Sequence, residues 1–230
     1  MRRLTILLIT LCAAACATIG ASYDAAYQRC LIEPDYEPQT AQACTAVIEA
    51  SRTSSEDRAF ALNNRAHISG QQTQADLDAA IRIAPHIAKL YRNRGTVNED
   101  PHSKIADFDE AIRIDPNYAV AWNDRGEAYA TLKRYDLAIR DLSEAIRLAP
   151  HYVHPMYNPY QTRAEAKEAI GDRRGGAADR KLSLRYFAAA SDRDVIDTAG
   201  LNGSGMRAWE PMILSARAIG PWRRAPRRLE

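Results

Sequence analysis

Between residues 119 and 150 the apolar positions fall into two helical stripes separated by a two-residue turn. The first stripe runs from Ala119 to Leu132 and sets Trp122, Gly126 and Tyr129 on one face at helical spacing. Lys133 and Arg134 make the turn. The second runs from Tyr135 to Leu148, with Leu137, Ala138, Ile139, Leu142, Ala145, Ile146 and Leu148 as its apolar side. Pro150 forbids its continuation. The closing pattern AIRLAP appears twice upstream, as AIRIAP at 80–85 and AIRIDP at 111–116, so that Pro85, Pro116 and Pro150 stand 31 and 34 residues apart. A period of that size predicts a helix–turn–helix module stacked on copies of itself.

Trp122, Gly126, Tyr129, Tyr135, Ala138, Leu142, Ala145 and Pro150 all fall in one frame that begins at Ala119, and in that frame they resemble the tetratricopeptide repeat, a 34-residue helix–turn–helix unit. The resemblance implies an all-α fold, a right-handed superhelical stack of helix–turn–helix repeats (an α-solenoid). Gly126 and Ala138 stand where a bulky side chain would hold the paired helices apart.

The neighbouring units are less regular. LYRNRG (90–95) and ADFDEAIRIDP (106–116) answer the two halves of 119–150, but three residues are missing, Pro101 lies in the gap, and Lys104 replaces the small residue at Ala138's place. ALNNRA (61–66) and ADLDAAIRIAP (75–85) are about five residues short. Each loss removes about one helical turn, so clipped hairpins are expected. Residues 159–184 repeat the pattern once more, with Tyr160 for Trp122, Ala164 for Gly126 and Arg180 where Leu142 or Phe108 would pack. The expected organisation is a signal peptide at 1–15, a helical hairpin cap at 16–55, and degenerate repeats at 56–86 and 87–118. A well-formed repeat follows at 119–152, a degenerate polar terminal repeat at 153–186, and a mostly disordered basic tail at 187–230. A solenoid needs such a polar end to stay soluble.

Charge and cysteines bear on location. Arg2 and Arg3 precede an apolar run from Leu4 to Leu11 that ends in Ala13–Ala15, the layout of an export signal. The run is too short to span a membrane. Two cleavage chemistries fit. Ala13-Ala14-Ala15 before Cys16 resembles a bacterial lipoprotein signal, which would acylate Cys16 and attach the chain to a membrane. An ordinary cut after Ala15, Ala17 or Ala21 is the alternative. Export leaves Cys30 and Cys44 as an even pair in an oxidising compartment, expected as a disulfide rather than as two buried thiols. The last fourteen residues hold five arginines against Glu230, while the body is mildly acidic. A nucleic-acid binder would carry its positive charge on the folded body, so no nucleic-acid partner is expected. The tail, with Trp222 beside Arg223 and Arg224, suits either a solubilising end or contact with anionic lipid.

Arginine recurs at one repeat position (Arg65, Arg94, Arg125, Arg163) and aspartate at another (Asp76, Asp107, Asp141, Asp179). Either the arginines grip an acidic peptide, or each pairs with its aspartate across the hairpin; matched charges at matched positions favour the second. The family resemblance implies a concave groove lined at the fifth and ninth positions of each first helix. Those positions are Asn63 and His67, Arg92 and Thr96, Asn123 and Glu127, and Gln161 and Glu165. No Gly-x-Ser-x-Gly elbow, phosphate-binding glycine loop or His-Glu-x-x-His helix occurs. His151 and His154 lack an evident third ligand, so neither a metal nor a cofactor is expected. The reading is a non-enzymatic scaffold of the bacterial cell envelope, exported to the periplasm or lipid-anchored, with a protein or peptide in the groove. A structural or oligomerising lipoprotein with an idle groove, or an accessory subunit of an envelope enzyme, is the alternative.

Overall fold

The computed structural model describes residues 22–32, 34, 37–69, 73–151 and 157–192. The expected signal peptide, Cys16, His154 and the tail beyond Asp192 lie outside the described residues. Every helix or strand element among those described is helical. They are α1 (Pro38–Glu49), α2 (Ser55–Ser69), α3 (Thr73–Ile83), α4 (Ala88–Val97), α5 (Pro101–Ile114), α6 (Ala119–Thr131), α7 (Tyr135–Leu148), α8 (Pro159–Ala169) and α9 (Arg173–Asp192), preceded by a π-helical turn at Gln28–Ile32. The chain divides into two compact units after Gln72. The stretch 56–86 therefore contributes its first helix to one unit and its second to the other.

In the first unit, Cys30 of the π-helical turn is disulfide-bonded to Cys44 of α1, with the Cα atoms 4.9 Å apart. Both cysteines are buried with Ala43, Val47 and Ala61. Closing a loop of this length stabilises a fold by about 3 kcal/mol in the chain-entropy account. Polar groups close the rest of the cap. Asn64 Nδ2 donates to the Cys30 carbonyl at 2.8 Å. Thr53 Oγ1 donates to the Val47 carbonyl at 2.7 Å and lies 3.0 Å from the Tyr23 hydroxyl.

In the second unit, α3 packs on α4, and the pairs α4/α5, α6/α7 and α8/α9 form successive hairpins, each layered on the next. One apolar cluster joins Ile105 and Phe108 of α5 to Ala128 and Tyr129 of α6, Ala138 and Leu142 of α7, and Ala166 of α8. The small residues are needed for this closeness. A Cβ on Gly126 would stand 2.8 Å from Leu142 Cγ, and one on Gly95 would stand 2.6 Å from Phe108 Cε1. The repeat's aromatic position also fastens each unit to the one before: Trp122 Nε1 donates to the Pro116 carbonyl, and the Tyr160 hydroxyl to the Pro150 carbonyl, both at 2.9 Å.

The turns account for the period. After α6, Lys133 N–H donates to Ala130 O and Arg134 N–H to Tyr129 O; after α8, Gly171 N–H donates to Glu168 O and Asp172 N–H to Lys167 O. Both are Schellman motifs, which need one residue in the left-handed region. That residue is Lys133 (φ 57°) in one and Gly171 (φ 92°) in the other. The hairpin at 87–118 lacks this turn. Its α4 has 10 residues against 13 in α6, and Asn98 is extended at φ −70°, ψ 139°. The chain then re-enters a helix directly, with Pro101 in the first turn and Asp100 accepting from Ser103 N–H at 2.8 Å. The three missing residues are thus taken from the end of the first helix and its turn. In the terminal repeat, Arg180 substitutes for an apolar residue by pairing with Glu168 of α8 at 2.7 Å.

A Cβ on Gly171 would have nothing within 4 Å, so Gly171→Ala meets only the backbone penalty of positive φ. It should lower the unfolding free energy by about 1 kcal/mol in urea titration. No loss would mean that this turn does not hold the left-handed conformation in solution.

Candidate functional site

The recurring arginines and aspartates do face each other, and each arginine does more than pair. Arg94 donates from Nε and Nη2 to Asp107, Arg125 from the same two nitrogens to Asp141 at 2.6 and 3.1 Å, and Arg163 to Asp179 at 2.8 and 2.6 Å. The third arm, Nη1, reaches the preceding layer. Arg94 meets Asp78 at 2.9 Å, Arg125 meets Asp109 at 2.6 Å, and Arg163 meets Ser143 Oγ at 3.0 Å. Asp78, Asp109 and Ser143 each lie two residues after a recurring aspartate. In the first unit Arg65 Nη1 makes the corresponding contact to Thr45 Oγ1 at 3.1 Å.

Asp107, Asp141 and Asp179 are 5%, 0% and 2% exposed. Burial pulls against the charge on Arg125, but Asp141 and Asp109 hold its guanidinium above the usual arginine range. Burial likewise pushes the Asp179 carboxyl up, and Arg163 with Lys167 (2.9 Å) brings it below its ordinary value. The arginines are therefore occupied as ties within and between hairpins.

The first helices carry a different set of groups. Arg92 of α4 donates from Nε to Asp124 of α6 at 2.5 Å, linking the first helices of adjacent repeats. Burial works against the Arg92 charge, and Asp124 more than restores it. Lys89, one turn before Arg92, is lowered to about 8 by burial and by the Arg92 charge. Glu127 is raised to about 7, chiefly by burial and further by Asp124; the hydrogen bond from Asn123 and the charge of Arg92 oppose the shift. Asn123 is fully buried; its Nδ2 donates to Glu127 Oε1 at 2.9 Å, and its Oδ1 has no hydrogen-bond partner. One layer on, Gln161 Nε2 donates to Glu165 Oε1 at 2.6 Å, the same four-residue pairing.

Of the eight groove positions, His67, Thr96 and Glu165 are exposed, Arg92, Glu127 and Gln161 are half-buried, and Asn63 and Asn123 are buried. Arg92, Asn123 and Glu127 come together in one cluster with Lys89 and Asp124, while Gln161 and Glu165 pair on α8. Lys89 and Asp124 were missed because neither sits at the fifth or ninth position. The signal available was Asp124 following Asn123 directly, one residue off the position that places Arg92. His151 stands edge-on to the Tyr186 ring at 5.2 Å. Among the described residues no group of His, Cys, Asp and Glu could hold a metal ion.

The family model of the tetratricopeptide repeat matches residues 119–152, which are α6, α7 and their flanks. Residues 119–152 are a tetratricopeptide repeat. No curated protein matches the chain. Solved structures share its fold at low identity. A crystal structure of MamA protein is 18% identical, with a TM-score of 0.54 over 68% of this chain and 85% of that one. A MamA RS-1 double mutant is 14% identical, with a TM-score of 0.61 over 74% and 96%. BtubC from P. vanneervenii is 13% identical, with a TM-score of 0.56 over 67% and 72%. At these identities the likeness establishes the all-α repeat fold.

Two outcomes test the tetratricopeptide site. Arg125→Met takes from the buried Asp141 carboxylate its bidentate partner, leaving Arg140 Nε at 3.3 Å, and should cost about 3 kcal/mol in chemical denaturation, whereas a loss below about 1 kcal/mol would show that Arg140 or water satisfies Asp141. Glu127 is protonated more readily folded than unfolded, so its favourable contribution is full below about 4.5 and is lost as pH rises through about 7. Glu127→Gln keeps an acceptor for Asn123 and should match the wild type near pH 4 but unfold at higher temperature at pH 8. Equal melting shifts at the two pH values would contradict a buried, pH-sensitive Glu127.

Proposed function

We propose that this chain is a non-catalytic interaction scaffold of the bacterial cell envelope that binds a protein or peptide segment along its first helices. The single observation that carries the reading is the polar first-helix face between α4 and α8. Its cation Arg92 and its carboxylates Glu127 and Glu165 are held in place by the Arg92–Asp124 pair and the Asn123–Glu127 and Gln161–Glu165 hydrogen bonds, with Lys89 one turn before Arg92. Side chains fixed before binding lose little entropy on binding. Such a face suits a segment with mixed polar and charged side chains better than an apolar helix, because it offers few apolar anchors.

The envelope location rests on the basic, apolar and small-residue layout of 1–15, and attachment to a membrane on acylation of Cys16. The buried Cys30–Cys44 disulfide is in keeping with an oxidising compartment.

The test is partner capture from cross-linked envelope fractions with the intact protein and with Gln161→Ala/Glu165→Ala, whose side chains belong to none of the apolar clusters described above. Asn123→Ala/Glu127→Ala serves as the second variant, with circular dichroism to confirm folding. A partner that is captured by the wild type and lost in both folded variants supports groove recognition. An unchanged partner set, or a protein found outside the envelope, overturns the corresponding half of the proposal.

A further inference from the structure

The outer face of α9 differs in charge from those of α5 and α7. Six residues after the buried aspartate, α5 and α7 each expose an arginine that a glutamate three residues earlier neutralises. Arg113 pairs with Glu110 and Arg147 with Glu144, both at 2.6 Å. In α9 the corresponding arginine is Arg185, and the residue three before it is Leu182. A second replacement lies at the acceptor site for the next layer. Where Asp78, Asp109 and Ser143 receive the third arm of Arg94, Arg125 and Arg163, α9 has Lys181, two residues after Asp179. A cation there repels an incoming guanidinium. A further layer stacked on α9 in the same register would bring its guanidinium against Lys181.

Arg174, Lys181 and Arg185 are seven and four residues apart, which sets them on one stripe of the helix, roughly 16 Å long. All three are exposed, and none makes a hydrogen bond or ion pair among the described residues. Ala177 and Ala178 lie between them, and Leu184, 72% exposed, lies alongside. Small alanines make the stripe shallow, with nothing in it to read a partner's shape. Its chemistry is diffuse positive charge beside one insertable apolar side chain.

We propose that this face of α9 docks on an anionic phospholipid surface. A planar, laterally uniform anion array matches a flat line of cations better than an acidic protein does, and Leu184 can enter the headgroup layer beside Lys181 and Arg185. No helix among the described residues is long and apolar enough to cross a membrane. The chain that follows is of the same sign, with five arginines in its last fourteen residues.

Sedimentation of the full chain with vesicles of phosphatidylglycerol and phosphatidylcholine, and with phosphatidylcholine alone, tests the proposal. Binding should be confined to the anionic vesicles and weaken in high salt. Each basic residue near such a surface strengthens binding about fivefold, so Arg174→Gln/Lys181→Gln/Arg185→Gln should bind about a hundredfold more weakly. The charge-reversed Arg174→Glu/Lys181→Glu/Arg185→Glu variant should bind more weakly still, and circular dichroism reports whether each remains helical. Arg82→Glu/Arg113→Glu/Arg147→Glu changes net charge equally on α3, α5 and α7 and should lose far less. Equal losses in the two glutamate variants would make net charge the cause and overturn the assignment to α9. Equal binding to neutral vesicles, or binding to polyglutamate without binding to vesicles, would also overturn it.

Discussion

The buried aspartate of each second helix sets the terms on which these hairpins can stack. A carboxylate removed from water is costly unless it is paired and hydrogen-bonded, and removing one partner of such a pair is strongly destabilising. Asp107, Asp141 and Asp179 each meet a planar guanidinium that satisfies both oxygens at once, which a lysine ammonium could not do with the same fixed geometry. Bidentate pairing aligns the two helices of a hairpin as well as holding them. The nitrogen left over then reaches back to the previous layer, so a single side chain couples intra-repeat and inter-repeat order. Stability in such a stack is a sum of repeat terms and nearest-neighbour terms, and this arginine contributes to both.

The acceptor in the preceding layer is the tolerant part of the device. Asp78 and Asp109 supply a carboxylate and Ser143 and Thr45 a hydroxyl, yet the guanidinium arrives in all four cases. Tolerance follows from exposure. Asp109 is half solvent-exposed, where a charge adds little beyond a hydrogen bond, whereas the fully enclosed Asp141 position has no such latitude. The small residues show the opposite behaviour. Gly95 and Gly126 stand against Phe108 and Leu142 at distances that leave no room for a methyl group, so their identity is set by contact rather than by charge.

Much of this fold was legible because its constraints repeat. The prolines closing each unit, the aromatic at Trp122 and Tyr160, and the Arg–Asp register recur at equivalent repeat positions, and Trp122 and Tyr160, like Arg94, Arg125 and Arg163, make the same kind of contact in each layer. The Cys30–Cys44 pair was legible from parity and the export layout. What was not legible depends on surroundings rather than on period. Lys133 gives no sign in sequence of a left-handed backbone; its turn is recognised by comparison with Gly171. Pro101, which reads as an interruption, opens α5 because the turn before it has been excised. The groove positions were placed by resemblance, but their accessibility was not: Asn123 is buried by its neighbours, and Glu127 is perturbed by a burial that only the packed helices create.

The period also explains why α9 differs in character from α5 and α7. The position that accepts a guanidinium in α3, α5 and α7 is Lys181 in α9, the last described helix, and the place of Glu110 and Glu144 is taken by Leu182. Loss of constraint alone would leave any polar residue at these places. A cation at the docking position goes further, since it makes continuation of the ladder unfavourable as well as unnecessary. Rejection of a further guanidinium and the exposed basic stripe thus share one residue, Lys181, at the position through which the other layers are joined.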